Sequence, residues 1–465
     1  MVIGSAPVAL RERYGQRDCG PCDDCRRTSR RRHVSTSVVT PPPPRRIRCE
    51  EGGVVTDLSS ERARARGVRL PAAGHGPGFW IVASTFLTVM AYSTVPTPLY
   101  PLYEERDGFP VPTITVIFAA YAVGVVIALY LLGHVSDWVG RRRMLVVAVL
   151  VSALSAVIFL LWPEVPGLIV ARLINGASIG ILTATATAHL SELRAAAKPD
   201  EDGIIASSIA GAANIGGLAL GPLAGGLFAE FLPDPLTLPH AVFLVLLLVA
   251  AVVLTCVPET VAPREEPPAY RPQRLSVPRA ARPAFVTAGF AAFAGFAVFG
   301  LFTALAPTFL GTTFGQHDHL VAGATPFAVF AAAAAGQLIF GRLPLRTQLT
   351  IAAIACGVGL VTVAAGAVLP SIVAFVAGGV IAGLGVGVLF KGAVATTISL
   401  ADPDRRGETL ALLFLIAYAG LAVPVLAVGG ALLFAPATPV LLVFVTIVLV
   451  ATVSAASVLI RREAK

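Results

Sequence analysis

The 465-residue chain is 56% hydrophobic and only 13% charged, with a mean hydropathy of +0.79. A soluble protein of this length has too little interior to hide that much apolar surface, so its solvent is lipid. The formal charge of +8 does not mark a nucleic-acid binder, because residues 1–77 carry 15 Arg against 8 acids and the remainder is nearly neutral.

Residues 1–77 are Arg-rich and broken by Pro41–Pro44, with no apolar periodicity. Such a composition cannot bury enough surface to fold and predicts a disordered tail. Its cysteines, Cys19-x2-Cys22-x2-Cys25 with His33 and Cys49 nearby, have the types a thiolate metal site uses. No second Cys-x2-Cys pair follows, so the expectation is an unstructured segment without metal. Val54 and Val55 are each candidate bacterial starts, and translation from either would delete all four cysteines.

A helix rises about 1.5 Å per residue, so about 20 apolar residues cross a hydrocarbon core of about 30 Å. That ruler predicts twelve spans at 79–102, 113–133, 144–162, 166–190, 204–228, 239–257, 284–307, 324–341, 349–368, 371–397, 408–432 and 438–460. The runs are too long for barrel strands and lack period-two alternation. With a cytoplasmic N-terminus, 17 of the 20 basic residues beyond the tail fall on cytoplasmic segments. Glu104, Glu105, Asp107, Glu164, Asp234 and Asp318 fall on the other side. This positive-inside pattern predicts a cytoplasmic-membrane protein with both termini inside.

The loop after the second span reads Gly133-His-Val-Ser-Asp137-Trp-Val-Gly140-Arg141-Arg142-Arg143. Its glycines permit a tight turn, its arginines suit lipid headgroups, and Asp137 suits a helix N-terminus. The fourth span carries Arg172-Leu-Ile-Asn175-Gly176. An arginine inside a span costs about 2.5–3.5 kcal/mol on insertion scales, so it faces protein or a water-filled cavity unless it reaches the outer surface. The fifth span carries Gly217-x3-Gly221-Pro222-x2-Gly225-Gly226, with glycines at i, i+4 and i+8 for close helix approach and a proline that bends the helix.

Residues 258–283 hold seven prolines and five arginines and predict a cytoplasmic linker between an N-terminal bundle, 78–257, and a C-terminal bundle, 284–465. Internal similarity at an offset near 207 places Gly176 and Gly180 on Gly383 and Gly387. Repeated halves joined by a long loop indicate a rocking transporter with its site between them. The loop Gly341-Arg342-Leu-Pro-Leu-Arg346 lacks the acid of its first-half counterpart. Lys391 is a second embedded cation, placed too deep for easy snorkelling and favouring a cavity. The phenylalanines at 290, 293, 296, 299 and 302 spiral around the seventh span, so most face lipid or packing. His317-Asp318-His319 reads as a solvated external loop rather than a chelate.

The motifs at 133–143, 172–176 and 217–226 together resemble the major facilitator superfamily, in its drug-exporter antiporter branch. The resemblance covers residues 78–460 and is strong in the first half. It implies an all-α membrane fold of twelve helices in two pseudo-symmetric six-helix bundles, working by alternating access. It also implies that Asp137 latches onto Gly407-Glu408-Thr409 at the start of the eleventh span, and that an arginine such as Arg172 takes part in proton transfer. Protons are then the coupling ion, a small lipophilic or drug-like molecule the substrate, and a monomer in the bilayer the working unit, with no cofactor. Candidate cavity residues are Tyr92, Tyr121, Asn175, Asn214, Phe296, Lys391 and Tyr418. No Asp or Glu lies in the middle of a span, and the embedded cations favour neutral or anionic substrates. No phosphate-cradling loop and no polar catalytic set argue for a pump or an enzyme. A nutrient importer for a sugar or organic acid is the alternative, suggested by Pro258-Glu259-Thr260 after the sixth span.

Overall fold

The computed structural model describes residues 73–201, 203–262, 270–273, 277–401 and 406–463. The readings of Cys19, Cys22, Cys25 and Cys49, and of the alternative starts, lie outside them. The described residues form helices and no strands. The first half contains α1 (His75–Thr94), α2 (Tyr100–Asp107), α3 (Val111–Leu132), α4 (Ser136–Val139), α5 (Arg141–Leu161), α6 (Val165–Ala197), α7 (Ile204–Phe231) and α8 (Leu238–Leu254). The second contains α9 (Arg282–Gly300), α10 (Ala306–Phe314), α11 (His319–Phe340), α12 (Leu345–Val368), α13 (Ile372–Leu400), α14 (Arg406–Ala431) and α15 (Ala437–Glu463). Prolines sit in the first turn of α2, α3, α6, α8, α9 and α10, where their missing N–H costs nothing. Asp318 and Ser371 cap α11 and α13 through the N–H groups of Val321 and Ala374.

Among the described residues, eleven helices are long and apolar enough to cross a membrane. The expected sixth span is shorter than predicted: α8 has 17 residues, roughly 25 Å of helix, before the chain turns at Thr255. The outward faces are apolar, as lipid demands; Val245, Leu246, Val249 and Val252 of α8 are all exposed.

The helix pairings repeat between the halves. In the first, α1 packs on α6, α7 and α8, α3 on α6, and α5 on α6 and α8; in the second, α9 packs on α13, α14 and α15, α11 on α13, and α12 on α13 and α15. The glycines explain the closest contacts. A Cβ at Gly176 would lie 2.0 Å from the Tyr121 carbonyl oxygen on α3, and one at Gly387 would lie 2.1 Å from the Ala333 oxygen on α11. Only a bare Cα lets these backbones touch.

The first and seventh spans break at corresponding places, which the hydropathy ruler did not anticipate. A 3-10 turn, Thr97–Leu99, separates α1 from α2, and a π-helical stretch, Leu301–Leu305, separates α9 from α10. Pro96 and Pro98 account for the first break, and Pro307 follows the second. Each break also packs on the other half, Thr97–Leu99 on α11 and Leu301–Leu305 on α3.

Candidate functional site

The halves meet mainly through α7 with α11 and α3 with α14. Both contacts are tightest at the end opposite the α3–α5 loop, called the far end below. There a Cβ on Gly226 would meet the His319 oxygen at 2.6 Å and Gly323 Cα at 3.1 Å, and one on Gly429 would meet Thr115 Oγ1 at 2.4 Å. The Glu230 carboxylate, on α7, accepts the backbone N–H of His319 at the start of α11 at 3.1 Å. The far end is therefore shut by backbone contact and by one carboxylate on a helix N-terminus.

At the loop end the halves part around a cavity of about 710 Å³. Its first-half wall is small and hydroxylated, with Gly180, Thr183, Thr187, Ser207 and Asn214. Its second-half wall is larger and aromatic, with Gln337, Phe390, Lys391, Phe414 and Tyr418. Asp137, Arg141, Gln273 and Gly407 stand at the mouth. Three predicted cavity residues, Asn214, Lys391 and Tyr418, thus share one space. Phe296 lies a layer behind, 5.0 Å from Phe390 and 5.8 Å from Tyr418 between ring centroids. Tyr121 is buried below the floor, 6.4 Å from the Tyr418 ring. Tyr92 and Asn175 are not on the wall; they belong to a buried polar cluster beyond it. Of the phenylalanine spiral, Phe290 is exposed and Phe299 and Phe302 are buried; none lines the cavity.

Arg172 organises that cluster. It is 1% exposed, donates to the Ser93 carbonyl, and lies 4.6 Å from the Tyr121 ring centroid and 5.8 Å from that of Phe118. It does not reach the outer surface, and no carboxylate among the described residues pairs with it. Beside it Tyr92 bonds His240 Nδ1 at 3.1 Å, and the His240 ring stacks on Phe159 with centroids 4.4 Å apart. Asn175 donates to Ser152 Oγ at 3.4 Å. His240 carried no signal in the sequence, where a lone histidine in an apolar run reads as packing.

Pro222 lacks an N–H, so the Leu218 carbonyl one turn back has no helical donor. Thr94 Oγ1 on α1 stands 3.2 Å from it and shares its single proton between this carbonyl and that of Ala91, also at 3.2 Å. Gly217 and Gly221 hold α7 against the same helix, and Gly225 holds it against Val95 and Pro98 in the break beyond; a Cβ at Gly221 would lie 2.1 Å from the Ala91 oxygen.

The loop motif is a charge network. Arg141 donates to Asp137, to Ser136 Oγ and, at 3.1 and 3.2 Å, to Glu192 Oε1. Glu259 Oε1 accepts the backbone N–H groups of Arg141 at 2.7 Å and Arg142 at 3.4 Å, capping α5 from the segment after α8. Arg142 donates to the Val257 carbonyl at 3.1 Å, in the turn that follows α8. Arg143 alone of the three arginines is exposed, because the other two are engaged by protein rather than headgroups. Gly140 has φ +115°, a conformation that favours glycine, and a Cβ there would lie 2.5 Å from Glu259 Oε2 and push on the carboxylate that caps α5. Glu192 and Glu259 were not among the predicted site residues, although Pro258-Glu259-Thr260 flagged the second. Asp137 and Gly407 stand at the same open mouth, from opposite halves. Gln273 spans part of it, donating to the Gly407 carbonyl at 3.3 Å.

The sequence description of the Major Facilitator Superfamily matches residues 81–423. Among curated relatives, the puromycin resistance protein pur8 of Streptomyces alboniger is 30% identical over 167 residues, 35% of this chain and 33% of that protein. The arabinose-proton symporter of Bacillus subtilis is 33% identical over 94 residues, 20% of this chain and 19% of that protein. The chain thus matches about a third and a fifth of these relatives' lengths. Among solved structures, the nucleoside transporter NupG superposes with a TM-score of 0.61 at 12% identity, covering 83% of this chain and 99% of that one. The human organic anion transporter MFSD10 (TETRAN) superposes with a TM-score of 0.60 at 17% identity, covering 82% and 99%. At those identities the likeness shows the fold.

Proposed function

This chain belongs to the Major Facilitator Superfamily, and from that premise we propose that it is a proton-coupled exporter of small lipophilic or drug-like molecules, working by alternating access as a twelve-span monomer in the cytoplasmic membrane. The observation that carries the reading is the cavity itself. It has both halves for walls, is closed at the far end by Gly226, Gly323 and Glu230, and is open at the loop end beside Asp137. Its volume suits a drug-sized ligand. In this orientation, set by the positive-inside pattern, the open end faces the cytoplasm, where an exporter loads.

Rocking the halves would open the Gly226–Gly323 seam and bring Asp137 onto the start of α14, so that one carboxylate latch exchanges for another. The filled Gly217-to-Gly226 pattern and the match to a resistance protein support export. The shorter match to a proton symporter supports proton coupling and keeps nutrient import as the competing reading. Expression in an efflux-deficient host decides between them. The expected result is raised resistance to part of a panel of toxic lipophilic compounds, lost with Asp137→Asn. Unchanged susceptibility together with uptake of a carbon source would overturn the exporter reading.

A further inference from the structure

The cavity wall is electrically lopsided. Lys391 projects into it from α13, and its ammonium donates to a single partner, the Gln337 carbonyl at 3.2 Å. That carbonyl lies in the last turn of α11, so the lysine helps to cap a helix C-terminus. A cap uses one of three N–H donors, and the other two have no partner among the described residues. No described carboxylate pairs with Lys391. The one acid among the described residues of the wall, Asp137, is at the mouth and already bound to Arg141. Beneath the floor, Arg172 adds a second cation without a carboxylate, screened from the cavity by Tyr121.

The surface next to Lys391 is aromatic. Phe390 and Phe414 meet edge to face at 5.8 Å, and Tyr418 completes the wall. Edge-to-face ring clusters accept a further planar ring in offset or T-shaped contact. An unpaired ammonium in a partly desolvated cavity attracts an anion strongly, since water competes poorly there.

We propose that Lys391 and the Phe390–Phe414–Tyr418 wall form a subsite for an aromatic monoanion, the ring on the phenylalanines and the carboxylate or equivalent group on the ammonium. The substrate class is then amphiphilic organic acids rather than lipophilic cations. This rests on the cavity being the transport site, but the test reads binding alone, so it stands or falls separately from export.

The experiment measures equilibrium binding of 1-naphthoate and of neutral 1-naphthamide to the purified full-length protein in lipid nanodiscs. The two probes share a ring and differ in charge. The wild type is expected to bind naphthoate about tenfold or more tightly, the scale of one charge-assisted hydrogen bond. Lys391→Gln is expected to erase that preference while leaving naphthamide binding within about twofold; Lys391→Arg is expected to retain it. Equal affinities in the wild type, no measurable naphthoate binding, or a preference that survives in Lys391→Gln would each overturn the subsite. If naphthoate preference holds but vesicles fail to export any probe, the exporter reading fails and the subsite remains.

Discussion

The turn between α3 and α5 and its counterpart between α11 and α12 do the same geometric job with different chemistry. In the first half, Asp137, Arg141, Glu192 and Glu259 knit the loop to α5, α6 and the segment after α8. In the second, Gln348 donates to the Leu343 carbonyl at 2.7 Å, Lys391 donates to Gln337, and no carboxylate takes part among the described residues. Helix α12 begins without any side-chain cap. A turn without a carboxylate network therefore suffices to reverse the chain at this point of the fold. The ionic network of the first half does more than make a turn, which fits a contact exchanged between conformations.

The packing, by contrast, is symmetric, and breaking it gives the largest expected effect. A Cβ at Gly221 would lie 2.1 Å from the Ala91 oxygen, and one at Gly420 would lie 2.2 Å from the Phe293 oxygen. Both obstacles are backbone and cannot step aside. Gly221→Ala and Gly420→Ala should each cost about 3 kcal/mol or more and remove folded protein from detergent extracts. Gly216→Ala, with open space around it, should leave the yield unchanged. Fluorescence-detected size exclusion checks all three, and tolerance of either tight glycine would show that the helices can part.

The ionic asymmetry predicts the next largest effect, on transport rather than folding. A coupling of about 1–3 kcal/mol between a latch and a conformational equilibrium corresponds to roughly 5- to 150-fold. Asp137→Asn should cut transport about tenfold with normal expression. Arg342→Ala, in the counterpart loop, should change it less than about twofold. Equal losses at both positions would mean that the two loops are functionally alike despite their chemistry.

Much of this was legible in the sequence because glycine and charge leave marks that packing alone does not. Gly133, Gly140 and Asp137 located the loop, and the offset near 207 paired Gly176 with Gly383 on surfaces that do pack alike. The breaks at Thr97–Leu99 and Leu301–Leu305 were not legible. Hydropathy runs straight through them, and only the fold shows both meeting the opposite half. The cavity was half legible: Lys391 and Tyr418 face it, while Tyr92 turns instead toward His240 and Asn175 toward Ser152 in the buried layer beyond it. An aromatic or amide in a span has two faces to choose from, and a linear pattern does not say which is wet.

Two smaller predictions separate the roles of single hydrogen bonds. Thr94→Val keeps the shape of α1 but strands the Leu218 carbonyl beside Pro222. A buried acceptor left without a donor costs about 1–3 kcal/mol, so the thermal midpoint should fall by several degrees. An unchanged midpoint would mean that water or another donor replaces the threonine.

Glu259→Gln should have the smallest effect on stability and the most informative one. The carboxylate sits at the N-terminus of α5, where helix dipole and N–H groups favour negative charge by about 0.3–1 kcal/mol. Glutamine keeps an acceptor for the Arg141 and Arg142 N–H groups but loses the charge. Since α12 starts uncapped and still forms, the loss should stay near that lower range, visible as a shift of a few degrees at most in the thermal midpoint. Transport should fall further than such a shift explains, because the charge balance around Arg141 then passes to Glu192 and Asp137 alone. If instead the midpoint collapses while the activity of surviving protein is normal, Glu259 is a structural cap. The network would then exist to build the turn, and the loop at Gly341, which turns without a carboxylate, would be the one needing a different explanation.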